Sequence, residues 1–127
     1  MATGTFATAI NCMDGRVILP ITEWMKKQFN VEYVDMITEA GPDKTLSQGT
    51  PSQIQSIKDR VTVSVAKHNS NTIAIVGHHD CAGNPVDKNT HLLQVKDCCA
   101  IIKSWELDAR ILGVWLNEQW KAEVVES

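Results

Sequence analysis

The sequence lacks any apolar run that approaches the ~20 residues of a membrane-spanning helix. It also lacks an excess of basic residues, because 12 Lys and Arg stand against 15 Asp and Glu, giving a net charge of −3. Binding to nucleic acid or to an anionic membrane surface is therefore not expected. Internal repeats, low-complexity segments and the basic, apolar start of a secretory signal are missing too, so we expect a cytoplasmic protein.

What the sequence does contain is typical of a globular domain. Its 127 residues are 43% hydrophobic and 21% charged, which predicts one domain that spans 1–127. A chain of this length buries roughly 65% of the surface that it exposes when unfolded, which is enough for a core. Its four cysteines stay reduced in the cytoplasm, so they are interpreted as metal ligands, nucleophiles or small buried side chains rather than disulfides.

Predicted strands and helices alternate along the chain. Helical spacing predicts a first helix that begins at Pro20, followed by a strand and a loop around 41–43. Thr50, Pro51 and Gln53 form a capping-box pattern that begins a second helix, and a third helix is predicted over 92–105. The predicted strands are 6–11, 34–37, 72–76, 110–115 and 120–125.

This order of elements predicts the fold class. Strands that are separated by helices form βαβ units, whose right-handed crossovers produce a parallel sheet with helices on both faces. The short turn before the last strand allows only an antiparallel hairpin. We therefore predict an α/β three-layer sandwich: a mostly parallel four-stranded sheet plus a C-terminal antiparallel hairpin strand.

Two loops with reactive side chains come directly after predicted strands. The first contains Cys12, Asp14 and Arg16, and the second contains His78 and Cys81. Ligands bind beyond the carboxyl ends of parallel strands, so both loops are expected at one edge of the sheet. Two thiolates and an imidazole are ligands that favour Zn²⁺, and three protein ligands leave a fourth position open, as in catalytic zinc sites. The sequence therefore predicts zinc bound by Cys12, His78 and Cys81.

The residues of the first loop also have other interpretations. Cys12 could be a core cysteine, with Asp14 and Arg16 forming a surface ion pair that contributes under ~1 kcal/mol. A phosphatase-type phosphate cradle is excluded, because it needs a longer backbone loop between its cysteine and its arginine. A nucleotide-binding domain is disfavoured as well, because the turn after the first strand is not rich in glycine.

The two loops together resemble the β-class carbonic anhydrases. The signature of that family, Cys-x-Asp-x-Arg after one strand and His-x-x-Cys after a later one, matches Cys12 to Arg16 and His78 to Cys81. The resemblance implies that Cys12, His78 and Cys81 hold zinc, and that Arg16 holds Asp14 beside the open position. It further implies zinc-bound hydroxide attacking CO2 or a similar small electrophile, and a homodimer or larger homo-oligomer.

The sequence departs from the family pattern at several points. Gly15 replaces the usual serine, Glu39 stands where many members have asparagine, and the segment after the second loop is cut to about one helix. These departures leave a second hypothesis open, a non-catalytic zinc-stabilised module that binds an anion or a protein partner.

The remaining polar and aromatic candidates are given structural interpretations. Cys98 and Cys99 are adjacent on a helix and cannot both face one metal, so they are expected either to pack or to be simply exposed. His79 is expected beside the site or in solvent. Trp115 and Trp120, on the last hairpin, are candidates for burial against a second subunit.

Overall fold

A computed structural model describes residues 2–127. It contains a five-stranded sheet in the order β2-β1-β3-β4-β5, in which the first four strands are parallel and β5 runs antiparallel to β4. The predicted fold class is confirmed. In chain order the elements are β1 (Phe6–Cys12), α1 (Gly15–Phe29), β2 (Tyr33–Glu39), α2 (Pro42–Gln48), α3 (Pro51–His68), β3 (Thr72–His78), α4 (Lys88–Ser104), β4 (Arg110–Leu116) and β5 (Ala122–Glu126).

A hydrophobic cluster covers each face of the sheet, so the central strands β1, β3 and β4 are buried on both sides. Val17, Ile21 and Met25 of α1 pack on one face, against alternate residues of the central strands. The other face is covered by apolar residues from α2, α3 and α4: Leu46, Ile57, Val61, Val95 and Ile102. Continuous apolar strands such as β3 are therefore explained by burial on both faces, as is usual for parallel sheets.

Two predicted helix boundaries were wrong. Helix α1 begins at Gly15 rather than at Pro20, because Asp14 acts as the N-cap and its side chain accepts a hydrogen bond from the backbone N–H of Arg16, 2.9 Å away. Pro20 lies inside the helix, where burial of the apolar face outweighs the missing N–H. Helix α4 begins at Lys88 rather than at residue 92, because Asp87 caps it.

The loop predicted around 41–43 is only partly a loop, because residues 42–48 form the short helix α2. Pro42 occupies its first turn, where a proline is tolerated, and Gly41 precedes it in the left-handed conformation (φ 68°). Helix α3 has Thr50 as its N-cap and forms both hydrogen bonds of the predicted capping box. No helix within residues 2–127 is long and apolar enough to cross a membrane.

Candidate metal centre

The two loops predicted to meet do meet. Strands β1 and β3 are neighbours in the sheet, so the residues that end or follow them lie at the same edge. The side chains of Cys12, His78 and Cys81 are buried there, and their possible ligand atoms all lie within 4.8 Å of one another. The two sulfur atoms are 3.9 Å apart. This arrangement of donors could hold one metal ion.

His78 presents one ring nitrogen to this cluster. Its Nδ1 lies 2.7 Å from the carbonyl oxygen of His79, so Nδ1–H donates there and the lone pair is on Nε2. Nε2 is buried and has no hydrogen-bond partner within the described chain. Burial lowers the pKa of His78, which keeps the imidazole neutral. A neutral imidazole with a fixed tautomer and an unpaired buried nitrogen is the form that ligates metals.

The Cys81 thiol needs a nearby cation to ionise in this environment. Burial, followed by the nearness of Cys12, raises the pKa of Cys81 to about 12. A divalent ion between the two sulfurs would reverse this preference, because a coordinating thiol loses its proton. The donor set of two sulfurs and one imidazole nitrogen therefore fits a soft divalent ion such as zinc.

Asp14 and Arg16 form a bidentate ion pair at the edge of the cluster. Arg16 Nε donates to Asp14 Oδ1 at 3.0 Å, and Nη2 donates to Oδ2 at 2.6 Å. The hydrogen bond from the Arg16 side chain is the largest cause that lowers the pKa of Asp14, to about 2. Asp14 is therefore a carboxylate, able only to accept hydrogen bonds, throughout the physiological range. The pair is partly exposed, so it is accessible to a small substrate.

Two further contacts to Arg16 were missed by the sequence analysis. Asp80 accepts from Arg16 twice, through its side chain at 3.1 Å and its backbone carbonyl at 3.0 Å. The indole of Trp120 lies over the guanidinium, with Cζ 4.7 Å from the ring centre. Trp115, by contrast, is already buried within the chain. The one signal in the sequence for this contact is that Asp80, an acidic residue, stands inside the His-x-x-Cys turn.

A buried polar network behind the second loop was also missed. Asp43 accepts from His91 Nδ1 at 2.5 Å and from Asn84 Nδ2 at 3.0 Å, and Asn84 Nδ2 also donates to Gln94 Oε1 at 2.6 Å. All four residues are buried. Because Asn84 follows Cys81 closely in the chain and its N–H donates to the Cys81 carbonyl, this network fixes the loop that presents Cys81.

The other residues singled out in the sequence lie outside the cluster. Glu39 pairs with Arg60, and its backbone carbonyl accepts from Met13 N–H, beside Cys12 in the sheet. His79 is exposed, with its ring 6.4 Å from that of Trp120. Of the two predicted alternatives for Cys98 and Cys99, packing is the one found, because both are fully buried in the core.

Solved structures of carbonic anhydrases have the same fold. The enzyme of Trichomonas vaginalis is 15% identical, with a TM-score of 0.62 over 94% of this chain and 82% of that one. A carbonic anhydrase of Glaciozyma antarctica is 16% identical, with a TM-score of 0.59 over 93% and 80%. A chain from the structures of two tetrameric β-carbonic anhydrases of Sordaria macrospora is 12% identical, with a TM-score of 0.61 over 97% of this chain and 81% of that one. At these identities the likeness establishes the fold.

A family model described as "Putative carbonic anhydrase" matches residues 2–126, which is nearly the whole chain. No curated protein matches this chain. The sheet order, the antiparallel last strand and the match along the chain agree with one another. On these findings, the chain belongs to the carbonic anhydrase family of that model and has a β-carbonic anhydrase fold.

Proposed function

We propose that this protein is a zinc-dependent enzyme of the carbonic anhydrase type, with Cys12, His78 and Cys81 as the zinc ligands and CO2, or a similar small electrophile, as substrate. The observation that supports it most is the unpaired, buried Nε2 of His78 facing two buried sulfurs. The bidentate Asp14–Arg16 pair beside this cluster favours catalysis over a purely structural metal, which would need neither residue. Zinc at this place would lower the pKa of a bound water toward about 7.

Asp14 is the proposed catalytic carboxylate. Oδ1 accepts two N–H groups of Arg16, its backbone amide and Nε, whereas Oδ2 accepts one, from Nη2. A carboxylate oxygen has two lone-pair sites, so Oδ2 keeps one for a proton on the reacting water. A fixed acceptor of this kind orients the nucleophile by accepting a hydrogen bond from its O–H.

Arg16 is the proposed positioning residue for that carboxylate. Its guanidinium bridges Asp14 on the first loop and Asp80 on the second, so it fixes the two loops relative to each other. A second arrangement of the same groups remains open: Asp14 could leave Arg16 and coordinate the metal itself, which would close the site. The two arrangements predict different effects of Asp14→Asn: zinc is retained in the first, whereas in the second the fourth position opens and zinc is held less tightly.

Metal content and CO2 hydration test the proposal together. We expect about one zinc per chain in the wild type by elemental analysis, and much less in Cys81→Ser. Cys98→Ala is the matched control, because it removes a buried cysteine outside the cluster and should keep its zinc. A wild type without zinc, or a Cys81→Ser variant with full zinc, contradicts the proposed ligands.

The catalytic part is tested by stopped-flow CO2 hydration with zinc-loaded protein. Asp14→Asn should retain zinc and lose most of the activity, about 10²-fold or more, because an amide is a poorer acceptor and can donate instead. Asp97→Asn on the exposed side of α4 is the matched control and should behave as wild type. Full zinc without CO2 hydration in the wild type would favour the non-catalytic zinc-stabilised module.

A further inference from the structure

Trp120 lies in a backbone conformation that a tryptophan rarely adopts. It occupies the turn between β4 and β5 with φ +59°, in the left-handed region where glycine is usual in hairpin loops. Asn117 holds the turn closed: its carbonyl accepts from Trp120 N–H at 2.9 Å, and its side-chain oxygen accepts from the N–H groups of Gln119 and Lys121. The chain therefore has a tryptophan at a position where glycine would avoid the strain that a Cβ atom causes.

Two of the residues with a positive φ contact Arg16. Among residues 2–127, five residues other than glycine have positive φ: Asn30, Asn69, Asp80, Glu106 and Trp120. Asn30 and Asn69 are helix C-caps, an ordinary place for asparagine in this conformation. Asp80 and Trp120 both contact the guanidinium of Arg16. Backbone strain that persists at such contacts points to a functional constraint.

Arg16 has two kinds of contact. Asp14 and Asp80 accept hydrogen bonds from its guanidinium nitrogens. The guanidinium also lies over the ring of Trp120, with Cζ 4.7 Å from the ring centre, and that ring lies 6.1 Å from the ring of His78. An aromatic face attracts a cation and limits its out-of-plane motion.

We propose that Trp120 is a positioning residue, which stacks on Arg16 to keep that arginine on Asp14 and closes the side of the site next to His78. The proposal rests on the proposed function for its catalytic consequence, but the position of Arg16 can be measured without any activity. Removing the indole is expected to free Arg16 while leaving the metal ligands in place.

The position of Arg16 can be followed through its Nε–H signal in ¹H–¹⁵N spectra. The chain has only three arginines, so the signals are assigned by single Arg→Lys changes. In the wild type, the Arg16 signal should show a ring-current shift from Trp120 and slow exchange with water. In Trp120→Asn that shift should disappear and exchange should accelerate, while Arg60 and Arg110 stay unchanged.

The variants are chosen to separate the indole from the turn. Asparagine tolerates the left-handed conformation, as at Asn30 and Asn69, so Trp120→Asn removes the aromatic face without breaking the turn. Trp120→Phe retains a smaller face and should restore part of the shift. Glu106→Asn is the matched control, because Glu106 has φ +56° on an exposed loop away from the site.

In zinc-loaded protein, Trp120→Asn should keep its zinc and lower kcat about two- to fivefold with little change in KM, the range that an exposed cation–π contact supports. An Arg16 signal in Trp120→Asn that coincides with wild type overturns the proposal, as does a Trp120→Phe variant no better than Trp120→Asn. If the wild type lacks CO2 hydration, the proposed function fails but the Arg16 signal still decides this inference. Should Trp120→Asn not fold, Trp120→Gly replaces it under the same criteria, because glycine adopts a positive φ without strain.

Discussion

Replacing Asp43 is expected to destabilise the protein strongly, although Asp43 lies outside the proposed ligand set. Its side chain is 1% exposed and accepts hydrogen bonds from His91, Asn84 and the backbone of Lys44. In Asp43→Ala, the buried Nδ1–H of His91 loses its acceptor, and the side-chain amide of Asn84 loses one acceptor while it keeps Gln94 Oε1.

The magnitude follows from the number of donors left unsatisfied. A buried donor without a partner costs about 1–3 kcal/mol. With His91 and one N–H of Asn84 affected, we expect a loss of about 3–5 kcal/mol in the free energy of unfolding. A domain whose free energy of unfolding has a typical value of about 5–15 kcal/mol would remain folded, but with much less stability left.

Urea denaturation followed by far-UV circular dichroism measures this loss, with Asp97→Ala on the exposed side of α4 as the matched control. The control should stay within about 0.5 kcal/mol of wild type. Because the network fixes the loop of Cys81 through Asn84, Asp43→Ala should also release its metal faster to a chelator. A loss below about 1 kcal/mol, with wild-type metal release, would refute the assigned role of the network.

Three further outcomes are expected. Arg16→Ala should retain zinc but lose CO2 hydration. Wild-type activity in that variant would show that catalysis does not need the Asp14–Arg16 ion pair. The Asp14 carboxyl should titrate near pH 2 by NMR; because its pKa is lowered on folding, its contribution to stability is present above about pH 4 and disappears as the pH falls through 2. Light scattering should give a dimer or larger assembly, because β2 and β5 are open edges of the sheet; a mass near 14.1 kDa at micromolar concentration contradicts this.

The sheet could be predicted because its signals are local. Apolar segments such as 72–76 are bounded by polar residues, and the alternation with helices restricts the topology to a few parallel arrangements. The start of α1 could not be placed as easily. Asp14 was interpreted only as a reactive group, and its second property, as an N-cap, was overlooked in favour of Pro20, which usually marks a first turn.

Within the site, the meeting of Cys12, His78 and Cys81 could be predicted from topology alone, since each ends or follows a strand at the same edge. The contact of Trp120 with Arg16 could not. It depends on the conformation of a hairpin turn distant in sequence, and φ at Trp120 is opposite to the preference of its residue type. Sequence patterns report residue preferences, so a strained contact is the kind of feature that they miss.

Asp14 also shows how the fold and the proposed chemistry are connected. One oxygen, Oδ1, caps helix α1 through the Arg16 backbone and also accepts from the Arg16 side chain, so the helix start and the ion pair share a residue. An alanine at this position would remove both, with about 1 kcal/mol lost from the cap alone. Asparagine is as good an N-cap as aspartate but carries no charge, so Asp14→Asn leaves the helix start intact. For that reason a loss of CO2 hydration in Asp14→Asn can be attributed to the carboxylate, whereas the same loss in Asp14→Ala could arise from a displaced helix.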